Sequence, residues 1–509
     1  MTIRRATILM LLSALLPSVR PASAAESIEL RPGWNLSLPL YGGRSGETKV
    51  EVTLPRVGKG QPVVFGIPAG QARSADTLAL FDERGKPLLA SFIPLGRWKN
   101  EPARWALVSA VLDAPSDSST RTLTVRWGKR PPLATGPVLD TRVSGDEIIV
   151  GSPFYTLSLS PRGGTLASPG DGGGRIASWR PSLTPSGERA LITGSGEARV
   201  LHSSPRYAKI RFESLLADSL ELHQEYEVFA GSPRVRCAAR FINRSLHDIP
   251  LDGIVPVELA SGAGADYTVY AGTVKSAAAH RFSVMQGTFI CTGVFDGNSR
   301  SIPEDVSGTI AVGIGGPDGS GAVVSVSGFR HMAAGEENLA STVTGSGGTL
   351  RFRHYEHTAP GADVRLRGTM ARTFPWTIMP ARADEFDGAA AMLDAPPTVR
   401  YDRVHLTRMG VFPEESVSRL FDAETDEGVR YFLRARVPRA EYPRCGRGTE
   451  PGDDGEGLYE VNLHTGGMVA GEVFQYYVPK PDSFALRHYG GTLGFALEHI
   501  VTGGRFSYR

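Results

Sequence analysis

Side chains that can transfer protons or hold an anion concentrate in two segments of this 509-residue sequence. Imidazole and phenol groups act as general bases and acids, and guanidinium groups bind carboxylates, all without a redox cofactor. The first segment lies near the end of the chain and offers His464, Tyr477, Arg487, His488 and Tyr489. If 482–504 is helical, Arg487 and Tyr489 lie on other faces of the helix than His488, so these side chains cannot all reach one site.

The second segment contains two short stretches, SGFRHM (327–332) and RFRHYEH (351–357). A two-residue period places Arg351, Arg353, Tyr355 and His357 on one face of a strand. That face suits a polyanionic glycan, and a solvated outer face of an antiparallel sheet is the alternative. The predicted substrate-binding residues are Arg330, His331, Arg353, Tyr355 and His357.

Other kinds of site are disfavoured. Neither G-x-S-x-G nor H-E-x-x-H occurs, which argues against an esterase or a zinc protease. The acidic stretches DAETDEG (422–428) and PGDDGEG (451–457) lack the EF-hand register, so no metal site is predicted. Three widely spaced cysteines allow at most one internal disulfide and exclude a disulfide scaffold.

The elements that position these residues are mostly strands. Apolar and polar residues alternate in many segments between 25 and 380, separated by Gly, Pro, Ser and Asp clusters. Examples are TKVEVTLP (48–55), RTLTVRW (121–127), FYTLSLS (154–160), ARVLHSS (198–204) and TLRFRHYEH (349–357). The sequence PPLATGP (131–137) predicts a linker between two β domains. We therefore expect a small β barrel at 25–135 and a large β sandwich at 138–380.

The end of the chain has a different pattern. Helical signals occur at 412–437, where Pro413, Glu414 and Glu415 favour a helix start, and at 482–504, where two glycines predict a kink. We expect a helical domain at 398–509. The fold class predicted from the sequence is mostly β with a C-terminal helical part.

The first 24 residues predict an export signal. Arg4 and Arg5 precede an apolar stretch, and ASA at 22–24 provides a small-residue cleavage site. Cleavage of the signal would remove three arginines and no acidic residue, so the formal charge of +2 would become 2 − 3 = −1 in the mature chain. This balance argues against nucleic-acid binding. We expect a secreted or periplasmic protein without a membrane anchor after cleavage.

Two tryptophans seven residues apart occur in GRWKNEPARWALV (96–108). Asn100 and Pro102 predict a turn between two strands. Trp98 and Trp105 are expected either to be buried in the barrel or, alternatively, to stack on a sugar.

The stretch at 62–112 resembles the amino-terminal barrel of the exo-rhamnogalacturonan lyase family, the YetA-like group. Val64–Pro68 matches the family strand V-x-F-G-[IV]-P, and Asp82, Gly85 and Pro87 match its D-x-x-G-x-P turn. Trp98, Arg104 and Trp105 match the ends of the family hairpin, whose Asp-Gly-Ser turn is replaced by residues 100–102. Residues 220–245 and 364–379 are similar to family sandwich strands, with Phe374 in place of the usual histidine.

The resemblance implies a RIFT-type barrel, a sandwich and an α/α toroid, and we expect the toroid to be partial, either shortened or truncated. It also implies β-elimination at a uronate, which needs a group that neutralises the carboxylate, a base and an acid. On that expectation His464 or His488 is the base, Tyr477 or Tyr489 the acid, and Arg487 holds the carboxylate. The partner is an acidic polysaccharide or oligosaccharide, and no cofactor is required.

Two alternatives remain open. One is a non-catalytic glycan-binding or structural protein. The other is a glycoside hydrolase, which needs two acids flanking the scissile bond; Glu415, Asp422 and Glu472 are present without a surrounding motif.

Overall fold

The computed structural model shows a chain built mainly from antiparallel β strands, which confirms the predicted fold class in its β part. The described residues are 26–31, 34–38, 45–68, 77–97, 103–128, 136–169, 173–192, 195–261, 265–271, 281–284, 289–294, 310–316, 319–326, 339–357, 364–394 and 397–402. The predicted export signal (1–24) and the predicted helices at 412–437 and 482–504 lie outside them. Within these ranges no helix has the length and apolarity that a membrane span requires.

The first strands form a short hairpin and a small two-sheet unit. They are β1 (Glu26–Arg31), β2 (Trp34–Leu38), β3 (Gly46–Leu54), β4 (Gly58–Pro68), β5 (Ala79–Phe81), β6 (Pro87–Leu88), β7 (Ala90–Arg97), β8 (Ala103–Ala114) and β9 (Ser119–Trp127). β1 pairs with β2, and β3 to β9 contribute to two sheets that share one apolar core. β7 and β8, which flank the predicted turn, pair with each other, and Trp105 lies in β8.

The central strands form a large sandwich. They are β10 (Asp140–Ser144), β11 (Glu147–Gly151), β12 (Thr156–Ser160), β13 (Gly163–Ala167), β14 (Arg175–Pro185), β15 (Leu191–Ile192), β16 (Gly196–Ser203), β17 (Tyr207–Ala217), β18 (Leu220–Phe229), β19 (Val235–Asn243), β20 (Ile249–Ala260), β21 (Asp266–Ala271), β22 (Arg281–Val284), β23 (Phe289–Val294), β24 (Ile310–Gly315), β25 (Gly321–Val326), β26 (Leu339–Ser346), β27 (Thr349–His357), β28 (Val364–Leu366) and β29 (Ala371–Pro380).

Two sheets make this sandwich. The larger follows the order β10-β11-β12-β13-β14-β20-β27-β26-β23, with β15 beside β14 and β28 beside β20. The smaller follows the order β16-β17-β18-β19-β29-β25-β24-β21-β22. Alternate residues of both sheets point inward and form a continuous core that includes Trp179, Phe212, Tyr226, Phe352 and Trp376. Each large side chain buried there contributes about 1.5–3 kcal/mol, so the core holds the two sheets face to face.

The small unit is fixed to the sandwich by buried polar contacts. The Ser232 hydroxyl donates to the Gly60 carbonyl at 2.6 Å, and Arg236 Nη2 donates to the Pro62 carbonyl at 2.8 Å. The predicted linker at 131–137 is described only at Gly136 and Pro137. Both of their carbonyls accept hydrogen bonds from Arg206 Nη1, so the end of the linker is attached to the sandwich.

After β29 the chain turns through a 3-10 segment (Ala383–Glu385) into the helix α1 (Phe386–Asp394). The Phe386 ring lies against Gly313 of β24, where an added Cβ would be only 2.4 Å from the ring. The Tyr270 hydroxyl donates to Asp387 Oδ1 at 2.6 Å. These contacts hold α1 on the smaller sheet.

The last described strand, β30 (Thr398–Tyr401), returns to the small unit and pairs with β3. Val399 is buried in the core of that unit, and the Tyr401 ring packs edge-on against Phe65 with 6.4 Å between the ring centroids. The first residues of the predicted helical domain (398–509) are therefore a β strand of the N-terminal unit.

Candidate functional site

The outer face of the larger sheet carries a row of small residues, four of which bear hydroxyls. Ser158, Thr165, Ser178, Ala260 and Thr349 lie opposite one another on five adjacent strands, β12 to β14, β20 and β27. Directly paired residues of neighbouring strands point to the same side of a sheet. Their inward neighbours, among them Leu157, Leu166, Ala177 and Leu259, are buried in the sandwich core.

A second row, two residues further along each strand, contains the charges. Ser160 lies opposite Gly163, and Arg180, Glu258 and Arg351 lie opposite one another on β14, β20 and β27. Because residues i and i+2 share a face, the charged row and the hydroxyl row form one polar surface.

The two rows enclose a shallow groove of about 460 Å³. Its lining holds two arginines, Arg162 and Arg180, and two glutamates, Glu147 and Glu258. Arg351 lies beside the groove on Glu258, and with it these five groups carry a formal charge of 3 − 2 = +1. The floor of the groove is low because serine, threonine, alanine and glycine form it, and their side chains are small. Gly163 has φ +139°, and a Cβ there would lie 1.9 Å from the Trp179 carbonyl oxygen, so this position requires glycine.

Glu258 is held between two arginines. Arg180 donates to Oε1 from Nε at 3.0 Å and from Nη2 at 2.7 Å, and Arg351 donates to Oε2 from Nε at 2.6 Å and from Nη2. Burial alone would raise the pKa of Glu258, but the hydrogen bonds and charges of the two arginines outweigh it and leave the pKa below its usual value. Glu258 is therefore ionised at neutral pH.

Arg353 and Tyr355 follow Arg351 on β27 but occupy different environments. Arg353 lies over Gly253, whose missing side chain leaves room for the guanidinium, and its Nη2 donates to the Asp252 carbonyl at 2.7 Å. The pairing of β27 with β20 and β26 is irregular near Tyr355, whose φ is +60°.

The Tyr355 side chain consequently points into the core, where its ring packs edge-on against Phe374 with 6.3 Å between the ring centroids. The alternation that put Tyr355 on one face with Arg353 was wrong at this position, because an irregularity in strand pairing reverses the face that the next side chain occupies. A buried ring is not exposed to a ligand on the outer face.

The remaining predicted site residues are not brought together by the described part of the chain. The backbone of His357 ends β27 opposite Leu339. The others lie outside the described residues, and they are Arg330, His331, His464, Tyr477, Arg487, His488 and Tyr489. Trp105 is half-buried in β8, and Trp98 also lies outside.

Sequence reasoning placed Arg351 on an exposed face but missed Arg162, Arg180 and Glu258. The signal for Arg180 was the alternation in RIASWRPSLTP (175–185). That pattern shows which face a residue occupies, but the strand that lies opposite depends on long-range pairing. Among the described residues, no group of three His, Cys, Asp or Glu side chains is arranged to hold a metal ion.

No protein-family profile matches the chain, and no curated protein matches it. Among solved structures, an alpha-mannosidase from Enterococcus faecalis V583 is 9% identical with a TM-score of 0.45, covering 72% of this chain and 47% of that one. A putative aldose 1-epimerase from Klebsiella pneumoniae is 10% identical with a TM-score of 0.32, covering 51% and 87%. The chain thus spans about half the length of the mannosidase, and similarities of this size assign no function.

Proposed function

We propose that the groove binds an acidic glycan and that this protein acts on a uronate-containing polysaccharide such as rhamnogalacturonan. The observation that carries the proposal is the row of hydroxyls beside the Arg180–Glu258–Arg351 cluster. Serine and threonine hydroxyls both donate and accept, which suits the hydroxyls of a sugar. Guanidinium groups bind carboxylates with charge-assisted hydrogen bonds.

The two arginines retain donors for a ligand. Glu258 engages Nε and Nη2 of each, and within the described residues the Nη1 group of each arginine donates to no protein acceptor. Arg180 and Arg351 are about half exposed. A sugar carboxylate that approaches from solvent therefore meets two fixed cations whose orientation Glu258 has already set.

The proposed reaction is β-elimination, as the resemblance to the lyases implies. Neutralising the uronate carboxylate acidifies the adjacent C–H, a base removes that proton, and an acid protonates the leaving oxygen. His464 or His488 as base, Tyr477 or Tyr489 as acid and Arg487 on the carboxylate remain predictions from sequence. Secretion or export to the periplasm, where such polymers are met, belongs to the same proposal.

A non-catalytic glycan-binding protein is the second candidate, and one observation favours it. The described lining of the groove contains no histidine, tyrosine or lysine. Its more buried carboxylate, Glu258, has a lowered pKa and is a weak base. The groove therefore supplies binding groups, and any acid and base must come from elsewhere in the chain.

The experiment measures binding and cleavage together on the mature protein. Binding of an oligogalacturonate and of a rhamnogalacturonan oligosaccharide is followed by calorimetry, and cleavage by the ultraviolet absorbance of the new double bond. We expect Arg180→Ala and Arg351→Ala each to weaken binding roughly threefold to tenfold, since a charge-assisted bond to a half-exposed group is partly screened. Arg126→Ala, which removes an exposed ion pair of the N-terminal unit, is the matched control.

The outcomes separate the candidates. Binding with new absorbance supports the lyase, and binding without absorbance or new reducing ends supports the non-catalytic protein. New reducing ends without absorbance indicate hydrolysis. Equal affinities for the wild type, both groove variants and the control would refute the groove as the binding site.

A further inference from the structure

A buried chain of hydrogen bonds runs from Trp179 of the larger sheet to Tyr226 and Gln224 of the smaller sheet, and back to the turn at the rim of the groove. Trp179 Nε1 donates to the Tyr226 hydroxyl at 3.3 Å, and that hydroxyl donates to Gln224 Oε1 at 2.9 Å. Gln224 Nε2 then donates to the Pro161 carbonyl at 2.6 Å. Gln224 and Tyr226 both point inward from β18.

The chain has a single direction. The Tyr226 oxygen accepts from the indole, which can only donate, so its own proton goes to Gln224 Oε1. The amide nitrogen of Gln224 is then the group that faces the Pro161 carbonyl, and the reverse amide orientation would place two oxygens together. Burial raises the pKa of Tyr226, so the hydroxyl keeps the proton that the chain requires.

The last bond of the chain determines the conformation of one turn. Pro161 and Arg162 are the two residues that connect β12 to β13, and the Pro161 carbonyl belongs to the peptide that joins them. A hydrogen bond to that oxygen fixes the plane of the peptide, and with it the direction in which the Arg162 side chain leaves the backbone. Arg162 lines the groove.

We propose that Gln224 and Tyr226 are positioning residues that hold Arg162 at the rim of the groove and so set its affinity for an acidic ligand. They act from the opposite sheet and contribute no atom to the groove lining. The role in ligand binding rests on the proposed function of the groove, whereas the fixing of the turn does not.

The fixing of the turn is tested without any ligand. Trypsin cleaves after arginine, and cleavage at Arg162–Gly163 requires the turn to open locally. We expect Gln224→Leu to accelerate cleavage at this bond roughly tenfold, as loss of one buried hydrogen bond implies, and Tyr226→Phe to accelerate it less. Mass spectrometry of the full-length protein identifies the bond that is cut.

Two controls separate this effect from general loss of stability. Val228→Ala removes core packing from the same inward face of β18 without touching the hydrogen-bond chain. The bond after Arg84, in the turn between β5 and β6, reports opening elsewhere. Faster cleavage after Arg162 in Val228→Ala, or equal acceleration after Arg84, would overturn the proposal.

The effect on binding is tested with oligogalacturonate and a double-mutant cycle. We expect Gln224→Leu and Arg162→Ala each to weaken binding severalfold, and the double variant to bind no more weakly than Arg162→Ala. Additive losses would show that Gln224 acts only on stability and would refute the positioning role. If the wild type does not bind, the proposed function fails, while the cleavage result still decides whether Gln224 fixes the turn.

Discussion

Replacing Gly163 by alanine should damage the groove more than any other single-methyl change in its floor. Gly163 adopts φ +139°, which L side chains rarely occupy, and an added Cβ would lie 1.9 Å from the Trp179 carbonyl oxygen and 3.0 Å from Arg180 Cα. Both neighbours are backbone atoms of β14, so no side-chain rotation relieves the overlap. β13 must move away from β14.

The expected cost has two parts. An unfavourable backbone conformation costs about 1–3 kcal/mol, and forcing an extra methyl into a packed site costs about another 1–3 kcal/mol. We therefore expect Gly163→Ala to lower the free energy of unfolding by about 2–6 kcal/mol. Because Arg180 lies where β13 and β14 would separate, binding of an acidic glycan should weaken as well.

Gly174→Ala is the matched control, since nothing lies within 4 Å of its added Cβ and its φ is not in the positive region. Both variants are compared with the wild type by differential scanning calorimetry and by titration with oligogalacturonate. A Gly163→Ala protein that unfolds at the temperature of Gly174→Ala and binds equally well would show that β13 and β14 are not paired as described.

Three further predictions concern charge, pH and packing. Because Arg180 and Arg351 are half exposed, raising the salt concentration from about 50 mM to about 500 mM should weaken oligogalacturonate binding, and unchanged affinity would contradict an ionic contact. Burial lowers the pKa of His354 to about 3 from an unfolded value of 6.5. As the pH falls below 6.5, the unfolded chain therefore binds a proton at His354 that the folded protein does not bind. The free energy of unfolding should fall by about 2 kcal/mol between pH 6.5 and pH 5 for this reason. Denaturant titrations at several pH values should show that His354→Gln lacks this part of the pH dependence. Phe386→Ala should cost about 3–5 kcal/mol by calorimetry, because it empties the space between α1 and Gly313, and a cost below about 1 kcal/mol would mean that the helix is not docked there.

Local periodicity was sufficient to predict most of the strands. The stretches at 48–55, 121–127, 198–204 and 349–357 coincide with β3, β9, β16 and β27 within about two residues. β3, β9 and β27 each bury one face, so one face must be apolar and the other polar, and this alternation is visible in a single sequence. β16 alternates in sequence although none of its residues is buried. The pattern failed at Tyr355, where strand pairing becomes irregular without any local signal.

The groove could not be predicted in the same way. Arg180 and Glu258 are 78 residues apart, and Arg351 follows after another 93, so their meeting depends on β20 lying between β14 and β27. A single sequence does not encode strand order in a form that periodicity reveals. The direct chemical cues, histidines and tyrosines, led instead to the last hundred residues, which lie outside the described ranges.

The pairing of β30 with β3 joins parts of the chain that are synthesised far apart. Val50 and Tyr401 are cross-strand neighbours, as are Val52 and Val399. During synthesis, the edge of β3 therefore remains unpaired until the whole sandwich has left the ribosome. An unpaired strand edge can form hydrogen bonds with other chains and so promotes aggregation. A fragment that stops before Thr398 would leave that edge open permanently, so the N-terminal unit completes its folding only after the sandwich that follows it.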